Sequence, residues 1–164
     1  MRRGFTLTEI MVVISVISTI ALVLIPATGD GESTALRGAA EILAADIEDT
    51  QARMLADPLE PTGLFVNESG DGWHLARTAD PMNPILGRDG LPRIRRFGEG
   101  ALAHAGTLTL VPPSLPGGGL SFDDQGAPIQ NEGELEFILM GDESGARLGV
   151  FISASTGSVK IVFE

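Results

Sequence analysis

Residues 5–25, FTLTEIMVVISVISTIALVLI, form an apolar run that admits a single charge, Glu9. As an α-helix rising about 1.5 Å per residue, the run is about 31 Å long, which matches the hydrocarbon core of a bilayer. The pattern therefore predicts a membrane-spanning helix over residues 5–26. A carboxylate costs about 3 kcal/mol to insert at the centre of such a helix and less near its end, whereas each Ile, Val, Leu or Met contributes about 0.3 to 0.6 kcal/mol in favour. Insertion wins, but the residual cost asks for a partner for Glu9. A cut after Gly4 would supply one, because the new amine of Phe5 would lie one helical turn away. That amine could belong to the same chain or to a neighbour one step along a filament.

The apolar run stops at Pro26, and residues 27–33, ATGDGES, carry two glycines and no apolar period. They predict a linker over residues 27–34. Thr34 is placed to cap a second helix starting at Ala35. Leu36, Ala40, Leu43, Ile47 and Met54 then recur at helical spacing, widened by Ala39 and Ile42. Arg37 with Glu41, and Asp49 with Arg53, stand four apart on the wet side. Asp57-Pro58 ends the helix.

From Pro61 the period falls to two, cut by glycine, proline and aspartate. Strands are expected over residues 63–66, 73–77, 93–97, 107–111, 120–122, 135–140, 148–153 and 158–163. Residues 80–90 and 112–119 read as loops. Short strands at hairpin spacing pair antiparallel, so residues 35–164 predict an α+β domain with the amphipathic helix packed on one antiparallel meander.

Charge refines this picture. The 164 residues carry a formal net charge of −11, which argues against nucleic acid or anionic lipid as a partner of the domain. Arg2 and Arg3 are the only charges ahead of the apolar run. They predict that the N-terminus stays in the cytoplasm while the acidic remainder crosses the membrane. There is no cysteine, so no disulfide can reinforce a small exported core.

Nothing in the sequence reads as a catalytic, cofactor-binding or metal site. His74 and His104 have no ligand-type neighbours at zinc spacing. Asp123 and Asp124 lack the alternating oxygen ligands of a calcium loop and fit a hairpin turn. Ser144 lies between Gly141 and Gly145 but misses the nucleophile-elbow spacing. The only lysine, Lys160, falls in a strand and not in a phosphate loop. Arg88, Arg93, Arg95 and Arg96 form the one basic cluster, read as a solvated strand face or a subunit contact.

The segment Arg2-Arg3-Gly4-Phe5-Thr6-Leu7-Thr8-Glu9, with its apolar continuation, resembles the class III signal of type IV pilins and type II secretion pseudopilins. The resemblance implies a leader over residues 1–4, a prepilin peptidase cut between Gly4 and Phe5, and N-methylation of Phe5. It implies that Glu9 pairs with a neighbouring subunit's amine during assembly, and that Pro26 sits where such helices often kink. Three further stretches, Gln51-Ala52-Arg53, Phe122-Asp123-Asp124-Gln125-Gly126 and Ser155-Thr156-Gly157-Ser158-Val159, resemble the GspH/FimT type of minor pseudopilin. The implied function is that of a non-enzymatic structural subunit of the type II secretion pseudopilus, which serves protein export. The alternative is a minor type IV pilin of pilus biogenesis or DNA uptake. The implied partners are other pseudopilins or pilins, the prepilin peptidase and the inner membrane, with no cofactor.

Overall fold

The computed structural model describes residues 7–27, 31–87, 89–129, 133–142 and 145–163, with the side chains at 9, 19–27 and 116 left out of that description. The chain divides into two units, Met1–Gly31 and Glu32–Glu164. The first contains helix α1, Leu7–Ala27.

The second unit opens on helix α2, Gly31–Ala56. It starts four residues earlier than the apolar period predicts, so the expected linker is helical at 27 and at 31–34, while 28–30 lie outside the described residues. The period marks where the helix meets the core, not where it begins. Glu32 in the first turn favours the early start, since a carboxylate there complements the helix's positive end. The Glu32 side chain also lies against Gly141, where a Cβ would collide with it. Helix α2 ends at Ala56 before Asp57-Pro58, as the sequence predicts.

The strands are β1 Thr62–Val66, β2 Gly72–Arg77, β3 Asp80–Pro84, β4 Ile94–Arg96, β5 Leu108–Val111, β6 Gly119–Ser121, β7 Leu135–Gly141, β8 Arg147–Ile152 and β9 Val159–Phe163. Every strand expected from the alternation is present within two residues of its predicted ends, and all pairings are antiparallel. The fold is α+β, a helix followed by antiparallel sheet, in keeping with a pilin-like architecture. The expected single meander, however, is two sheets. One has the order β3-β2-β1-β6 with β4 also on β2, and the other is β5-β7-β8-β9. Alternation tells which residues face inward but not which strand lies alongside. Strand β6 returns to β1 across more than fifty residues of sequence, while its neighbour β5 joins β7.

Two further elements lie outside the expected strands, the first of them inside the loop expected over residues 80–90. Residues 80–84 form β3, whose prolines hid it from the strand pattern but are tolerated because β3 is an edge. A 3-10 helix, Gly100–Ala105, links β4 to β5 and buries Leu102 and Ala105.

One core joins α2 to both sheets. Leu36, Ala39, Ala40, Leu43, Ile47 and Met54 of the helix form a single cluster with Leu64, Trp73, Leu75 and Phe122 of the first sheet and its flank. Leu110, Phe137, Leu139, Leu148, Val150 and Ile152 of the second complete it. The predicted helical stripe is thus the buried face.

Candidate functional site

The apolar N-terminal helix is the first candidate. All the described large apolar side chains of α1, from Leu7 to Ile17, are between 49% and 77% exposed, with no buried face among them. A helix apolar all round is one that lipid or other helices surround. The hydroxyl of Ser15 donates to the Met11 carbonyl at 2.8 Å, which satisfies a polar group inside that surface. Among the described residues no helix is long and apolar enough to cross a membrane, and the side chains of α1 are described only at 7, 8 and 10–18. Gly4 and Phe5 lie outside the described residues, as does the side chain of Glu9, whose backbone is helical in α1. Pro26 is the penultimate residue of α1.

Residues 1–25 match the family described as the prokaryotic N-terminal methylation motif. The N-terminus is of the prepilin type. Such a signal indicates processing by a prepilin peptidase, membrane anchoring through the N-terminal helix and assembly with other pilins. Chains that carry it are structural subunits. No curated protein and no solved structure matches the chain.

Within the second unit, the segments around Gln51, Phe122–Gly126 and Ser155–Val159 converge on one side chain. Gln51, near the end of α2, donates from Nε2 to the Gly126 carbonyl at 2.6 Å and to the Thr156 carbonyl at 3.0 Å. Two turns far apart in sequence are thereby pinned to the helix. Gly157 has a φ of +67° and stands so close to the Gly126 carbonyl that no Cβ fits between them. The Asp123 carboxylate accepts the backbone N–H groups of Gln125 and Ala127 at 3.0 and 2.8 Å, which closes the first turn. It is occupied as a turn former, and Asp124 beside it is exposed. Among the described residues no three His, Asp or Glu side chains gather as a metal site.

The sequence missed a buried polar network beside this junction. Asp46 and Thr50 occupy the stripe of α2 between Leu43 and Met54 and are buried. The Asp46 carboxylate accepts the Trp73 indole N–H at 3.0 Å and Arg95 Nε at 3.0 Å. The Thr50 hydroxyl donates to the Asp46 carbonyl at 2.7 Å. Phe97 packs edge-on against Trp73, with ring centroids 5.9 Å apart. The signal was a polar residue at stripe positions, Asp46 between Leu43 and Ile47 and Thr50 between Ile47 and Met54, since a polar residue at a core position implies a buried partner.

This network also places the basic cluster. Arg95 faces Asp46, and Arg93 lies 3.8 Å from Asp49, which Arg53 also contacts at 3.0 Å. Two of the four arginines therefore clip β4 and its approach onto α2. Arg88 lies outside the described residues. His74 is half-buried, stacks on Phe65 and donates from Nε2 to the Pro81 carbonyl at 2.7 Å. His104 is exposed on the 3-10 helix. Ser144 lies outside the described residues. An open cleft of 470 Å³ is lined by Arg53, Glu60, Arg77 and Asp80, and its Arg77 guanidinium is paired with Glu60 at 2.5 Å.

Proposed function

We propose that the chain is a minor pseudopilin of the GspH/FimT type, a non-catalytic structural subunit of a type II secretion pseudopilus that serves protein export. The observation that carries this reading is the methylation signal over residues 1–25 standing ahead of a helix packed on antiparallel sheet. The peptidase cuts between Gly4 and Phe5 and the new N-terminus is methylated. Helix α1 holds the chain in the inner membrane as a single pass, N-terminus cytoplasmic and domain periplasmic, until a filament takes it up. There Glu9 meets the amine of a neighbouring subunit, and the exposed apolar side chains of α1 pack into the filament core. Pro26 bends the rod where it leaves the membrane.

The convergence of the Gln51, Gly126 and Thr156 segments supports the GspH/FimT assignment, because stretches distant in sequence act as one structural unit. The absence of cysteine favours a minor subunit over a disulfide-closed major pilin. A minor type IV pilin is the second reading. Its DNA-uptake form is disfavoured by Arg93 and Arg95, which already face Asp49 and Asp46.

Mass spectrometry of the protein extracted from membranes with an active prepilin peptidase tests the reading. It should find a methylated Phe5 start, and Gly4→Ala should leave the leader attached while the chain still inserts. Glu9→Ala should be cut normally yet fail to enter filaments. An uncut Met1 start in those membranes overturns the proposal. Loss of secretion without loss of pili in a deletion strain separates the pseudopilin from the pilin.

A further inference from the structure

The sheet edges are not equally protected. Strand β3 carries Pro81 and Pro84, which leave gaps in its row of N–H donors. Strands β4 and β6 have three residues each. At the edge of the second sheet, the Leu110 N–H of β5 donates to the Gly70 carbonyl at 2.8 Å, so the β1–β2 turn covers that side. Strand β9 differs from all of these. Its sequence, VKIVF, has no proline and no acid, and none of its five residues is buried.

The ladder phase fixes which backbone groups of β9 are free. Ser153 N–H donates to the Ser158 carbonyl at 3.0 Å, and Gly141 N–H donates to the Ala146 carbonyl at 2.9 Å. Antiparallel pairs alternate between bonded and non-bonded, so Gly149 and Phe151 of β8 bond Val162 and Lys160 of β9. Val159, Ile161 and Phe163 therefore turn their N–H and C=O groups away from β8. Among the described residues nothing bonds them.

We infer that β9 pairs with β9 of a second copy, antiparallel and symmetric about Ile161. In that register Ile161 faces its own image, Val159 faces Phe163, and Lys160 faces Val162. The outward groups of residues 159, 161 and 163 then meet in bonded pairs. Aromatic against β-branched is a favourable cross-strand combination, and Phe163, 57% exposed with the Arg37 guanidinium 4.9 Å from its ring centre, gains Val159 of the second copy beside it. Electrostatics single out the same strand. Two domains of a chain with net charge −11 repel over most of their surface, but β9 carries the chain's only lysine and no carboxylate. Neither lysine opposes the other in this register. The two-fold closes on itself and makes a dimer, not a fibre. The pairing requires only the domain and does not rest on the filament reading.

The lack of cysteine makes a register-specific test clean. Lys160 and Val162 of opposite copies form a non-bonded pair with Cα atoms about 4.5 Å apart, within disulfide range, whereas like residues sit diagonally, about 7 to 8 Å apart. The full chain in detergent, prepared as Lys160→Cys and separately as Val162→Cys, is oxidised alone and mixed, then run on a non-reducing gel. The mixture should give a disulfide dimer several-fold above either variant alone and above a Glu68→Cys control in the β1–β2 turn. Equal crosslinking in all four samples, or none, overturns the inference. Adding Ile161→Pro removes an outward N–H without touching the bonds to β8, and should abolish the crosslink with unchanged circular dichroism. If that variant misfolds, Ile161→Lys, which sets two cations face to face, should do the same. Crosslinking that survives the folded variant overturns the register.

Discussion

Asp46 shows how a single residue can matter more than a row of surface charges. Its carboxylate is 7% exposed and accepts from both Trp73 and Arg95, so Asp46→Ala strands an indole N–H and a guanidinium. Removing one partner of a buried pair costs about 3 to 5 kcal/mol. Arg95 keeps 29% of its side chain in water, which brings the cost to the bottom of that range or just under it, and urea unfolding should show a loss of about 2 to 3 kcal/mol. The exposed Arg37–Glu41 pair, 4.0 Å apart, is the contrast: Glu41→Ala should change stability by less than about 0.5 kcal/mol. Asp71 sets a pH dependence. Asn67 Nδ2 and the Ser69 hydroxyl donate to its carboxylate and hold its pKa below the ordinary 3.8, with Arg96 adding to the effect. A lowered pKa means that the ionised form stabilises the fold above 3.8 and that this contribution is lost as pH falls through the lower, folded value. The difference in unfolding midpoint between the native chain and Asp71→Asn should therefore be full at neutral pH and vanish in strong acid.

Helices and strands were legible in the sequence where periodicity is long and uninterrupted. The stripe from Leu36 to Met54 named the buried face of α2, and the alternation of Leu135, Phe137 and Leu139 gave β7 its inward residues. Periodicity was silent where the deciding contact is distant in sequence. The start of α2 falls where the Glu32 side chain rests against Gly141, and β3 pairs through Arg77 and Ala76 with Asp80 and Pro84. Gln51 belongs to this class: its type and position were visible, but not that Gly126 and Thr156 would meet there. Gln51→Ala leaves two carbonyls without their donor and should cost about 1 to 3 kcal/mol, read from urea unfolding by circular dichroism. It should also loosen the C-terminal hairpin, which amide exchange at Gly157 and Ser158 would detect.

At the scale of the molecule, the processing signal was the most legible part and the assembly the least. A signal of this kind needs no fold to be recognised, and residues 1–25 match the methylation motif. The sheet partition was not legible, because nothing local to β5 or β6 says that they part company. Among the described residues, the core of the second unit draws on Ala35 and residues after it. Residues 32–164 expressed alone should therefore fold cooperatively, with the same circular dichroism midpoint as the domain within the full chain. A midpoint several degrees lower would show that residues 1–31 contribute to the domain's stability.

Trp73 is the only indole of the chain, there is no tyrosine, and its ring is fully enclosed where α2, β2 and β4 meet. Ultraviolet excitation of this protein thus illuminates a single place. Emission should be blue in the native state and turn red as soon as β4 lifts from the helix, even while the second sheet stays intact. A spectrometer can then watch that seam open in the purified protein with no label attached.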